Sequence, residues 1–100
     1  MNRDRVLGYA VEFVCFQAGS QYGQSGNTPA APEELTEPQA DAIRRAAMAG
    51  RRAGLARRDK DEARAQFERE YHQKARGLAK LAGLTAGLID ECYDAGYRSI

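Results

Sequence analysis

The chain has no tryptophan, one histidine and two cysteines among its 100 residues, and these shortages close off several classes of protein. Cys15 and Cys92 lie far apart and fit no metal-binding spacing. Each sits in an apolar context typical of a buried free thiol, which predicts a reducing, cytoplasmic location. The one histidine, His72, has Glu68 one helical turn before it, but two ligands fall short of the four that a closed site takes. Long hydrophobic runs are also missing. Asp4 and Glu12 interrupt the apolar first twenty residues, and nothing reaches the length needed to span a bilayer, so neither secretion nor membrane insertion is expected. A Ser/His/Asp constellation, a phosphate loop, a dinucleotide fingerprint and a Cys/His cluster are all lacking, so no cofactor and no catalytic group is expected. Asp90, Glu91 and Asp94 crowd together near the end with no apolar shell around them, and they read as a solvated helix face rather than a reaction centre.

What the chain does have is arginine. Arg44 to Arg58 carries three pairs, Arg44-Arg45, Arg51-Arg52 and Arg57-Arg58, with no acidic residue between them. At about 100° per residue in a helix, Arg44, Arg51 and Arg58 fall on one stripe flanked by Arg45 and Arg52. The net charge of +1 conceals this: residues 42–80 hold twelve basic against five acidic residues, while 1–41 and 81–100 are both acidic. A basic middle between acidic ends suits docking on a mixed surface of protein and nucleic acid better than wrapping a duplex. The plainer account is ordinary solvation of a helix.

One hundred residues suffice for a single small domain whose helices share a thin core. Residues 5–18 place Val6, Ala10, Phe13 and Phe16, with Val11, Val14 and Ala18, at helical spacings, which predicts the most buried helix, with Asp4 available as its cap. Residues 19–35 are rich in Gly, Ser, Gln, Asn and Pro and predict a long, flexible connection. Thr36-Glu37-Pro38-Gln39 is a capping box with proline near the first helical position, so a second helix should run from there to about Arg58. Asp59 with Glu62 signals a third, in which Ala63, Phe67, Tyr71, Lys74, Leu78 and Leu81 share a face and Glu70 can pair with Lys74. Gly83 is a stop, Thr85 a new cap, and Leu88, Ile89, Cys92 and Tyr93 the apolar face of a last helix ended by Gly96. The expected fold is therefore all-α, a small bundle of about four helices with a long loop after the first. On the second helix, Ile43, Ala47, Gly50 and Gly54 make a shaved face opposite the arginines, suited to close internal packing or to a second copy of the chain, at about 1 kcal/mol of helix propensity per glycine.

Three resemblances bear on function. Leu78 to Asp94 resembles a helix-turn-helix unit, with Ala79, Gly83 and Ile89 in the small, turn and buried positions. That implies DNA binding, although the second helix would offer Ala86, Gly87, Asp90, Glu91 and Asp94 to a groove usually read by Arg, Lys, Asn or Gln. Arg45 to Lys60 is similar to the opening helix of ribosome modulation factor, through Arg45, Ala46, Gly50, Ala53, Gly54, Leu55, Ala56, Arg58 and Lys60. This implies ribosome binding, although that family's Cys-Pro-Tyr segment and tryptophan-bearing helix have no counterpart. In size and charge asymmetry the chain resembles the small phage inhibitors of the anti-CRISPR group.

A planar guanidinium suits phosphate and carboxylate alike. Met48 and Leu55 fall between the arginine rows, however, and an apolar strip within a charged face is the layout of a protein interface with a charged rim. The expected site is Arg44, Arg45, Met48, Arg51, Arg52, Leu55 and Arg58. The expected function is non-enzymatic docking on a large nucleic-acid-handling complex, to inhibit or modulate it, with direct nucleic-acid contact and homodimer formation both open.

Overall fold

Helix ends are where this chain's local chemistry is most explicit, and they set the frame. In the computed structural model, which describes residues 2–20 and 29–99, four helices follow one another: α1 (Arg3–Ser20), α2 (Glu37–Arg58), α3 (Glu62–Leu81) and α4 (Ala86–Arg98). Among the described residues there is no strand. The Thr36 hydroxyl accepts from the Gln39 backbone N–H at 3.3 Å and the Gln39 side chain accepts from the Thr36 N–H at 3.0 Å, completing the capping box. Gln39 also donates through Nε2 to the Ala82 carbonyl at 3.0 Å, so one side chain both starts α2 and ties it to the end of α3.

The two central helices end in the same way. At the end of α3, Gly83 takes φ 89°, donates to the Lys80 carbonyl, and Leu84 donates back to Ala79. At the end of α2, Lys60 takes φ 57°, donates to Arg57, and Asp61 donates back to Ala56. Both are Schellman closures, the first built on the glycine that the left-handed position favours and the second on a lysine. Because this turn consumes Asp59 and Lys60, the cap of α3 is Asp61, which accepts from the Arg64 N–H at 3.0 Å, and not Asp59 as expected. Thr85 caps α4 as expected. Asn2, not Asp4, caps α1 by accepting from the Arg5 N–H.

The core is built on α2. Ala40, Ala42, Ile43, Ala46 and Ala47 meet Val6, Tyr9, Ala10 and Val14 of α1, Ala79 of α3, Leu84, and Ile89 and Cys92 of α4. Alanine dominates because helices this close leave no room for larger side chains. The closest approach is between α2 and α4. A Cβ on Gly50 would stand 1.9 Å from the Tyr93 carbonyl oxygen, and one on Gly96 would stand 1.8 Å from that of Ala47. The shaved face of α2 is thus packed internally. Gly96 does not end α4 but makes the reciprocal contact from inside it.

Three further expectations are corrected. The most buried helix is α2 rather than α1, because α1 turns Val11 and Cys15 to the surface and inserts only one side. Gly19 and Ser20 continue α1, so the long connection expected after the first helix is present but begins at 21 and reaches the Thr36 cap, and within it Leu35 closes a turn on Pro32 and packs on the core; residues 21–28 lie outside the described residues. α3 is rotated from its expected setting. It buries Glu68, His72, Ala75 and Ala79, while Phe67, Leu78 and Leu81 are 61, 60 and 86% exposed.

Candidate docking surface

Alanines and glycines occupy most of the circumference of α2, so most of its longer side chains emerge along one strip, with Arg57 leaving on another side toward Tyr97. That strip carries the predicted residues, but the arginines on it are not equivalent. Arg44 is the most confined: its Nη1 donates to the Tyr9 hydroxyl at 2.9 Å, its Nη2 donates to Glu37 at 2.6 Å, and Asp41 lies 3.7 Å away. The guanidinium carbon stands 6.0 Å from the centroid of the Phe13 ring. The hydrogen bond to Tyr9 foremost, and then the Glu37 carboxylate, raise its pKa against the opposing effect of burial. Arg45 donates to Asp41 at 2.7 Å, and its Nη1 stands 3.5 Å from the Tyr71 hydroxyl.

Arg52 belongs to the inside as much as to the surface. Its Nε donates to Glu68 Oε1 at 3.0 Å, and its guanidinium lies over the Tyr71 ring at 5.7 Å. The Glu68 side chain is only 3% exposed and its Oε2 has no partner among the described residues, so Arg52 is the neutralising charge for a buried carboxylate. Arg57, which the sequence left outside the site, donates to the Tyr97 hydroxyl at 2.9 Å. Arg58 reaches Asp59 at 3.7 Å, with both side chains largely in solvent. Among the described residues nothing pairs with the Arg51 guanidinium. Met48 leans on the core, and Leu55 lines a shallow groove with Arg52, Ala56, Asp59, Asp61 and Arg64.

The seven residues therefore share one strip, with Arg44, Arg45 and Arg52 fixed by neighbouring carboxylates, Arg58 exposed beside Asp59, and Arg51 half-buried with no partner among the described residues. The sequence did not reveal Tyr71 and Glu68 as the α3 residues that brace it, because both depend on how α3 is rotated. In hindsight the only signal is a lone glutamate one turn before a lone histidine, on the side of α3 away from its leucines.

Behind α2, a cavity of about 700 Å³ opens between the three later helices, lined by Ala53, Ala56, Arg69, His72, Tyr93 and Tyr97 among others. His72 Nε2 donates to Asp90 at 2.9 Å, since the carboxylate can only accept, and the ring lies 4.1 Å from that of Tyr93. Burial raises the Tyr93 pKa, so its hydroxyl keeps its proton. Asp90 also pairs with Arg76 at 3.2 Å, and Glu91 pairs with Arg3. The carboxylates expected to be solvated are thus partly engaged, and α4, the would-be reading helix of a helix-turn-helix, lies packed along α2 through Gly96. Among the described residues no group of three His, Cys, Asp or Glu is placed to hold a metal ion, and no helix is long and apolar enough to cross a membrane.

Fold and site together define an all-α, four-helix chain whose most distinctive surface is a braced arginine strip on its central helix. No protein-family model, curated protein or solved structure matches the chain.

Proposed function

We propose that this chain is a non-enzymatic binding protein that docks through the α2 strip onto a large nucleic-acid-handling complex and inhibits or modulates it, in the style of the small phage inhibitors of the anti-CRISPR group. One observation carries this reading: the Arg51 guanidinium, unpaired among the described residues, stands on the strip that also holds Met48, Leu55 and Arg58. Arg44, Arg45 and Arg52, each held by Glu37, Asp41 or Glu68, support it as a pre-ordered polar rim whose ordering entropy is already met by folding, while the uncompensated charge of the strip comes from Arg51. Association through such a surface is steered by charge and completed by desolvation of the apolar strip.

Arg52 is the wrong residue to reverse as a test, since Glu68 depends on it. The informative variant is Arg51→Glu with Arg58→Glu, which leaves every buried pair intact. Affinity capture from a cell lysate, followed by mass spectrometry, should recover subunits of a nucleic-acid-handling complex with the wild-type chain and not with this variant. Equal recovery, with the helical circular-dichroism signal unchanged, would sink the proposal. Salt-sensitive affinity for bare duplex that maps to residues 85–94 would replace it with the DNA-binding reading. Co-sedimentation with ribosomes would replace it with the ribosomal one.

A further inference from the structure

The anomaly of this molecule is α3, an amphipathic helix seated on its polar side. Glu68 and His72 face inward with Ala75 and Ala79, while Phe67, Leu78 and Leu81 face water at 61, 60 and 86% exposure. Three large side chains so exposed put on the order of 400 Å² of apolar surface on one helix, as much as the largest patch of a typical monomer. Their setting is regular. Phe67, Tyr71, Lys74, Leu78 and Leu81 follow one another at intervals of four, three, four and three residues, the seam of a two-helix coiled coil. The seam runs most of the length of α3, between its Asp61 cap and its Gly83 closure.

We propose that two copies of the chain associate through this ridge, with their α3 helices antiparallel. The charges on the ridge select that partner and that direction. A two-fold axis between residues 72 and 73 sets Phe67 of each copy opposite Leu78 of the other, and Tyr71 opposite Lys74. Glu70 then lies beside the other copy's Lys74. Every one of these contacts occurs twice, as a two-fold interface requires. Among the described residues Lys74 has no ion-pair partner, and the expected Glu70–Lys74 pair is not formed; Glu70 accepts from Gln66 at 3.1 Å. Gly77, next to the ridge, has open space where a Cβ would stand, so nothing obstructs close approach. The inward Glu68 follows from the same arrangement: with the apolar face reserved for the second copy, the polar face seats α3 on α2 through Arg52. This inference goes beyond the function proposed above and does not rest on it, although Tyr71 touches both surfaces through Arg45 and Arg52.

Sedimentation equilibrium on the full chain provides the test. With rising concentration the mass should climb from 11.0 kDa to twice that value. Leu78→Glu should hold it at the monomer value with an unchanged helical signal, and Phe67→Glu is the second variant should the first disturb folding. Lys74→Glu should weaken association at least tenfold, and Glu70→Lys combined with Lys74→Glu should restore it. A wild-type chain that stays monomeric at the highest concentration overturns the proposal and leaves the ridge to an unrelated partner. A dimer that survives both Leu78→Glu and Phe67→Glu overturns it equally.

Discussion

Gly50 and Gly96 show how much one missing methyl group decides here. Each lets the other helix's backbone lie where its own Cβ would be, at 1.9 and 1.8 Å from a carbonyl oxygen. Alanine at either position must push α2 and α4 apart, and overpacking of this kind costs about 1–3 kcal/mol, more than the gain in helix propensity returns. Gly50→Ala should therefore destabilise the fold by about 2 kcal/mol in urea melts. Gly8, in α1 with nothing within 4 Å of its Cβ position, is the control: Gly8→Ala should stabilise by about 0.5–1 kcal/mol. Equal effects at the two positions would mean that the close crossing is absent in solution.

The two cysteines divide at the same scale. Burial pushes the Cys92 thiol up from 9.0 to about 12, while Cys15 is exposed. A folded-state pKa above the unfolded one makes the native state hold its proton longer. The stability this contributes is intact below about pH 9 and is lost as the pH rises toward 12. At pH 8 a thiol reagent should label one cysteine in the native protein, Cys15, and both after denaturation. Labelling of Cys92 at the same rate as Cys15 would contradict its place in the core.

At the scale of the helix, α3 carries the clearest consequence of its seating. Removing one partner of a buried pair strands the other charge, whereas replacing both with apolar groups is often neutral or stabilising. Arg52→Ala should therefore cost about 2–3 kcal/mol, somewhat below the range for fully buried pairs because Arg52 is one-third exposed. Arg52→Leu combined with Glu68→Leu should recover most of that loss. A neutral Arg52→Ala in thermal melts would show that Glu68 is not held inside by this pair.

The same element shows where the sequence stops being readable. The start of α2, the Gly83 closure and the Thr85 cap were legible because each depends on side chains within three or four residues. The arginine strip was legible as a stripe, since helical periodicity alone defines it. The orientation of α3 was not: its periodicity correctly grouped Phe67, Leu78 and Leu81, but periodicity cannot say whether an apolar face meets its own core or something else. Nor could it say that Arg44, Arg45 and Arg52 would find carboxylates, because Glu68 reaches Arg52 only across a helix pair. The prominence of α2 was hidden for a related reason. Its core residues are alanines and glycines, which score weakly as hydrophobic and acquire their weight from the closeness of neighbouring backbones.

For the whole molecule, these contacts make α2 the element on which the other three depend. Ile43, Ala46 and Ala47 are fully buried, α4 rests on Gly50 and Ala47, and α3 is tied to it by Gln39 at one end and Arg52 nearer the other. With one core and one central helix, backbone amides from Ala46 to Ala53 have no route to solvent short of unfolding the domain. Their native-state hydrogen exchange should report the same free energy as a urea melt. Substitutions distant from that segment should lower both measurements by equal amounts: Gly96→Ala acts from α4 and Thr36→Ala from the far cap of α2, the latter by about 1 kcal/mol. The amides of the outer turns, at the start of α1 and the end of α4, should exchange through local openings that neither substitution affects. If Gly96→Ala released α4 while Ala46 to Ala53 kept their original protection, α4 would be a separate cooperative unit and α2 would not be the hub of the fold.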